Sequence, residues 1–266
     1  PKRKTKVTSS IRSEQRGLVP ERHALQDLKL LVAHEFERRV MSAGRPPPVT
    51  CTRPCTGSAA IGLPNDAAVG VAFGTMLTDK FYLVAGFSDT NGDPSEPFKG
   101  FENFFSDNEY FKSIEIGYTT SQDRIYFDNY HLTLWQKDAQ TAANIPSGWG
   151  INFSASRYLN ENFMPFLRGG FTEDAGSLLE ASVSGGVGYQ TEAFDGLLGG
   201  AVNWGRPNED TFGPGLDDQL ALEVFYRASV GRRAALTIDL QYINDPAINP
   251  AESSIWMFNL RGRVAF

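Results

Sequence analysis

Over the last two hundred residues of this chain, apolar side chains recur at every second position in runs of about ten. Val69, Val71 and Phe73 face one way, as do Ile114, Ile116 and Tyr118. The same spacing links Tyr126, Tyr130, Leu132 and Leu134, then Trp149, Ile151, Phe153 and Ala155. It continues through Leu179, Ala181, Val183, Gly185, Val187 and Tyr189, and through Leu220, Leu222, Val224 and Tyr226. Leu236, Ile238, Leu240 and Tyr242 follow, and Trp256, Phe258, Leu260, Val264 and Phe266 close the series. Alternation of this length means strands with one apolar face. It predicts about eleven of them, near 68–77, 81–88, 113–121, 125–136, 148–158, 163–171, 179–190, 196–205, 219–230, 235–244 and 254–266.

The predicted connections alternate as well. Short turns fall at 78–80, 122–124, 159–162, 191–195 and 231–233, and longer loops at 89–112, 137–147, 172–178, 206–218 and 245–253. Strands of about ten residues, short turns at one end and long loops at the other predict an all-β, antiparallel transmembrane β-barrel. Aromatics near strand ends (Phe81, Tyr82, Tyr158, Phe163, Phe171, Tyr189, Trp204, Trp256) suit the two interfacial girdles of such a barrel. A soluble β-sandwich also alternates, but its turns do not sort by length in turn order.

Composition agrees with strands rather than helices as the membrane element. Mean hydropathy is −0.29 and no run of 18 apolar residues occurs, which excludes a helical membrane protein and leaves the barrel open. Charge divides the chain near residue 61. Residues 1–60 hold 12 of the 25 Lys and Arg but 5 of the 31 Asp and Glu, a net of +7 against −13 for the rest. Of the aromatic residues, only Phe36 lies in that first segment. Residues 1–60 therefore read as a basic, Pro-containing leader outside the barrel, disordered or with one short helix over Glu21 to Met41. Its first ten residues lack an apolar core, so no secretory signal is read there. Cys51 and Cys55, with His23 and His34 upstream, have no ordered frame in which to form a zinc site, and no metal is expected. Gly185-Gly-Val-Gly188 lies inside a strand without a following helix or Lys, which argues against a phosphate loop. No nucleic-acid partner is expected.

Strand parity adds a constraint. With eleven strands the first and last run the same way and would have to pair in parallel, whereas bacterial barrels use even numbers of antiparallel strands. An odd number of strands is thus expected to be missing upstream of residue 67. The chain reads as a barrel fragment behind an unrelated leader, the product of truncation, frameshift or misassembly.

Several stretches resemble the carbohydrate-selective porin family, the OprB-like outer-membrane porins. They are Asp245-Pro-Ala-Ile-Asn-Pro250 with Ser254-Ile-Trp-Met-Phe-Asn-Leu-Arg-Gly-Arg-Val-Ala-Phe266, and before them Asp218-Gln219, Glu223-Val-Phe-Tyr-Arg227 and Asp239-Leu-Gln-Tyr-Ile243. Upstream, His131-Leu-Thr-Leu-Trp135 with Asp138, Pro165-Phe-Leu-Arg-Gly-Gly170, Leu63-Pro-Asn-Asp66 and Asp89-Thr-Asn-Gly-Asp-Pro94 are similar. The resemblance covers about residues 61–266. It implies a 16-stranded barrel of which about eleven strands are present, in the outer membrane of a Gram-negative bacterium, passing sugars by passive diffusion.

If the apolar set faces lipid, the alternate set faces the lumen. That places Glu115, His131, Trp135, Arg168, Asn203, Glu223, Arg227, Asp239, Gln241, Asn259, Arg261 and Arg263 inward. Arg as a multiple donor, Glu and Asp as acceptors, and aromatic rings against C–H surfaces suit neutral, hydroxyl-rich solutes, whereas a single-sign ring would select ions. The binding candidates are Glu115, His131, Trp135, Arg168, Glu223, Arg227, Asp239 and Arg261, with Arg261 and Arg263 near the periplasmic rim. No cofactor and no chemical step are required, and a homo-oligomer is compatible. Glu115 and Glu223 stand mid-strand with lumen parity, which argues against a glycosidase pair. The acidic loop 89–112 is expected to be a hydrated extracellular loop, with an inward constriction or a cation site as alternatives. Two other functions remain open: a structural or adhesive barrel with a plugged interior, and a soluble carbohydrate-binding β-protein.

Overall fold

The computed structural model describes residues 60–62 and 68–264, apart from Pro94, Pro97, Tyr126, Glu161, Arg232 and Ile248. The expectations for the leader, its helix and its cysteines, for Leu63-Pro-Asn-Asp66, for Tyr126 and for Phe266 lie outside the described residues. Eleven strands form one sheet: β1 (Gly70–Met76), β2 (Phe81–Asp89), β3 (Tyr110–Thr119), β4 (Asn129–Lys137), β5 (Gly148–Ser156), β6 (Phe163–Asp174), β7 (Leu179–Thr191), β8 (Gly196–Pro207), β9 (Gln219–Val230), β10 (Ala234–Asn244) and β11 (Ser254–Val264). Each pairs antiparallel with the next, in chain order and without crossover. β1 and β11 end the order, and among the described residues each is hydrogen-bonded on one side only. The architecture is an antiparallel β-barrel left incomplete.

Burial is inverted relative to a soluble β-protein. Ile114, Ile116, Leu132, Leu134, Leu222, Val224, Ile238 and Leu240 are exposed, while Glu115, Thr133, Asn152, Ser154, Glu223 and Asp239, which alternate with or oppose them, are buried. The sheet therefore curls with its polar face inside. Outward aromatics sit at both ends of the apolar band. At the long-loop end, Phe87 and Tyr110 have ring centroids 4.6 Å apart, Trp149 and Phe171 6.1 Å, and Tyr242 and Trp256 4.7 Å. Trp149 Nε1 donates to Glu173 (2.7 Å) and Trp204 Nε1 to Asp218 (3.1 Å), so each indole turns its polar edge toward a carboxylate. At the short-turn end Phe81, Tyr118 and Tyr130 form a chain of rings. From Tyr110 to Tyr118 along β3 is about 26 Å, or about 20 Å once a strand tilt of roughly 40° is allowed for.

The short turns are held locally. Thr78 Oγ1 accepts from the backbone N–H of Lys80 and Phe81, and Asn160 Oδ1 accepts from those of Asn162 and Phe163. Gly231, with φ of 68°, opens the link between β9 and β10 in a region that L side chains rarely adopt.

Four expectations need correction. β4 begins at Asn129 rather than near 125, because the chain first turns about Asp128. That carboxylate accepts from Thr120 Oγ1 (2.9 Å), Arg124 Nε (2.8 Å) and the backbone N–H of Tyr158 (2.9 Å). The loop expected at 172–178 contracts to 175–178, since β6 runs to Asp174, so loop length sorts by end less cleanly than predicted. Leu179 is buried rather than outward, because the pairing register shifts between Leu179 and Ala181. Tyr82 and Tyr158 leave the girdle set: Tyr82 points inward, and Tyr158 packs against the buried Met164, Leu197 and Phe225.

The long loop after β2 contains a helix that alternation did not reveal, α1 (Lys99–Ser106). Phe104 of α1 packs on Phe87 and Tyr110, whose strand neighbours Ser88 and Phe111 are buried on the inner face. The helix therefore lies on the outward face and does not fold into the lumen. A further helical turn, α2 (Glu209–Phe212), is capped by Asn208 Oδ1, which accepts from the N–H of Asp210.

Candidate functional site

Register, rather than sequence proximity, assembles the inner wall. His131 of β4 opposes Ser154 of β5, Ser154 opposes Arg168 of β6, Arg168 opposes Ser184 of β7, and Ser184 opposes Asn203 of β8. These five polar residues form one unbroken row across five strands, and all are buried. Asn203 Nδ2 donates to Ser184 (2.7 Å) and to Ser182 (2.9 Å), which stands in the adjacent row. The Arg168 guanidinium lies 4.9 Å from the centroid of the Phe166 ring.

Beside this row runs a second network. Glu115 accepts from Tyr82 Oη (2.9 Å) and Thr133 Oγ1 (3.0 Å). Asn129 Nδ2 donates to Tyr82 Oη (2.9 Å), and its Oδ1 lies 2.7 Å from His131 Nδ1. Trp135 Nε1 donates to Asn152 Oδ1 (2.7 Å), and Asn152 Nδ2 donates to the carbonyl of Ala60 (2.9 Å). The chain at residues 60–62 thus lies against the inner face of β4 and β5, where Ile61 packs on the Phe111, Trp135 and Ala175 cluster.

The inner aromatic rings share a geometry. Tyr82 opposes Gly117, Trp135 opposes Gly150, Phe166 opposes Gly186, and Phe225 opposes Gly199. In each pair the ring occupies the space that a Cβ on the glycine would need. Each ring thereby lies flat against the neighbouring strand.

The predicted candidates fall into two groups. Glu115, His131, Trp135 and Arg168 belong to the networks on β3 to β6. Glu223 opposes Gln241, and Arg227 opposes Thr237. Asp239 accepts from Gln241 Nε2 (3.3 Å) and Asn259 Nδ2 (3.0 Å), so this second group spans β9 to β11. Arg261 and Arg263 have lumen parity but are exposed on the edge strand β11, unlike the buried remainder. Tyr82 joins the inner wall although the sequence reading puts it in the girdle, and Thr133, Asn152, Ser154, Phe166 and Ser184 are not among the sequence candidates. Parity indicates the face of the latter five, but register alone shows which of them stand side by side. Among the described residues, Ser154 Oγ, Asn203 Oδ1, Thr172 Oγ1, and Nε and Nη1 of Arg227 have hydrogen-bonding capacity that no protein atom uses. No cluster of three or more His, Cys, Asp or Glu side chains there is placed to hold a metal ion.

At the rims, carboxylates are locked by hydrogen bonds. Burial would raise the pKa of Asp128, but its bonds from Tyr158, Arg124 and Thr120 outweigh this and hold it below the ordinary carboxylate range. Glu109 is lowered in the same way, the bonds from Thr141 and Asn91 outweighing its burial.

No protein-family model and no curated protein matches the chain. A solved structure does. The chain is similar in fold to OprB of Pseudomonas putida. In its high-pH structure the TM-score is 0.55 and the identity 14%, over 74% of this chain and 58% of that one. The chain thus spans little more than half the length of the barrel it resembles.

Proposed function

We propose that this chain is part of an outer-membrane porin, located in the outer membrane of a Gram-negative bacterium, that passes sugars by passive diffusion. The observation that carries the reading is the buried polar row from His131 to Asn203, set beside the Phe166 ring, on the inside of a barrel whose outside is apolar. Hydroxyl, amide and guanidinium groups of both donor and acceptor character match a neutral polyol, and an aromatic face matches the C–H side of a pyranose. Glu115, His131, Trp135 and Arg168 are the first candidate contacts, and Glu223, Arg227, Asp239 and Arg261 line a second stretch of the same wall. Diffusion needs no cofactor and no chemical step.

The test is ion current through planar bilayers containing the protein, with glucose added to block it. Glucose should reduce the current, and Arg168→Ala should weaken that block about tenfold, the effect of losing one hydrogen bond from a charged donor. A current indifferent to glucose in both proteins overturns the sugar reading. Complete absence of current favours the second reading, a structural barrel with a closed interior. One observation speaks for that alternative: Asn152 is 0% and Arg168 3% exposed, so the wall is well covered where residues 60–62 and the inner aromatic rings press on it.

A further inference from the structure

We infer that α1 is an interfacial anchor whose phenylalanine face inserts among lipid acyl chains at the long-loop rim of the barrel. Phe98, Phe101 and Phe105 are spaced three and four residues apart and share one side of the helix. They are 85%, 60% and 77% exposed, the most open cluster of large apolar side chains off the sheet among the described residues. The neighbouring Phe104 is fixed to the barrel, with ring centroids 5.8 Å from Phe87 and 5.4 Å from Tyr110. Phe87 opposes Val71, and Lys112, two residues beyond Tyr110, opposes Phe87 on its other side, so this site belongs to the outward face of β1 to β3. The free phenylalanines therefore continue the lipid-facing band at the level of its upper aromatic girdle.

The rest of the loop suits the headgroup layer. Tyr110 Oη donates to the carbonyl of Phe104 (2.9 Å), which ties the helix to the strand. Asn103 Nδ2 donates to the carbonyl of Asn91 (2.9 Å), and Asn91 Nδ2 donates to Asp107 (3.0 Å) and Glu109 (2.7 Å), so the polar side is stitched to the loop. Lys99 and Glu96 pair at 3.0 Å and remain exposed. An apolar side continuous with the membrane face and a charged side turned to water is the arrangement of a helix lying in the interfacial plane. Phenylalanine has no polar tip, so its rings favour the acyl margin over the aqueous phase.

This inference rests on the reading of the outward face as the lipid face, and the test separates the two. Single nitroxide labels are placed at Phe101→Cys, Phe105→Cys, Lys99→Cys and Leu132→Cys in a C51S/C55S background, each reconstituted in dimyristoylphosphatidylcholine vesicles. Collision rates with oxygen and with a water-soluble nickel chelate are then compared. Labels at 101 and 105 should favour oxygen, as the strand label at 132 does, and the label at 99, on the opposite side of the helix, should favour nickel, with the ratio differing severalfold. If 132 reads as lipid but 101 and 105 read as water, the anchor is overturned and the barrel reading stands. If 132 also reads as water, both fall. Spin–spin broadening at 105 that vanishes on dilution with unlabelled protein assigns the face to a second copy of the chain and overturns the lipid anchor.

Discussion

Ile114 lies midway between Tyr110 and Tyr118 on the outward side of β3, 48% exposed, with Ala85 and Leu134 opposite it on the flanking strands. The girdle spacing of about 20 Å puts it about 10 Å from either margin, near the centre of the hydrocarbon. Ile114→Arg there should destabilise the folded state by about 2–4 kcal/mol, a thirty- to thousandfold shift in the folding equilibrium. The same substitution at an equally exposed position in water changes stability by no more than about 0.5 kcal/mol. Reversible urea unfolding in lipid vesicles, followed by tryptophan fluorescence, measures the difference. Ile114→Ala serves as the control for lost apolar area. A variant within about 0.5 kcal/mol of the parent would refute the argument that this face contacts lipid, most decisively if the parent also stays folded in buffer without detergent.

Gly117→Val should force the Tyr82 ring off the wall, breaking its bonds to Glu115 and Asn129. A loss of about 1–3 kcal/mol is expected, with a change in near-ultraviolet circular dichroism. Trp135→Phe keeps the ring but deprives Asn152 of its indole donor, and should lower stability by about 1–3 kcal/mol in the same unfolding assay. Asp128 has a pKa held below its unfolded value. Its stabilising contribution is therefore complete above about pH 4 and is lost as pH falls from there through the folded pKa. Asp128→Asn should flatten the fall in urea midpoint between about pH 5 and pH 3, and an unchanged slope would place the acid sensitivity elsewhere.

Alternation made the eleven strands and their two faces legible, because a period of two is a direct consequence of the pleat. Parity alone puts Ile114 and Glu115 on opposite sides, as the structure does. Alternation failed where the backbone departs from the pleat. The bulge after Leu179 reverses one side chain, and Asp128 draws nine residues into a turn where a strand start was expected. α1 does not show as alternation, although Phe98, Phe101 and Phe105 carry helical spacing within the long loop. The site was legible only as a face. Charged residues such as Arg168 and Glu223 stood out in sequence, but the serines and asparagines between them did not. Their alignment in the row from His131 to Asn203 follows from four successive pairings, and no single strand encodes it.

Each ring-and-glycine pair shares one parcel of space between two strands, so neither position can drift alone. A lineage that enlarges Gly199 must first shrink Phe225, and one that loses the Phe225 ring leaves a void that Gly199 is then free to fill. Tyr82 with Gly117 is bound by the same rule, whereas Gly150 and Gly186 face a backbone carbonyl as well as their ring and stay fixed even if the ring shrinks. In a set of divergent homologues the Tyr82–Gly117 and Phe225–Gly199 couples should change together, even where the strands around them have become unrecognisable.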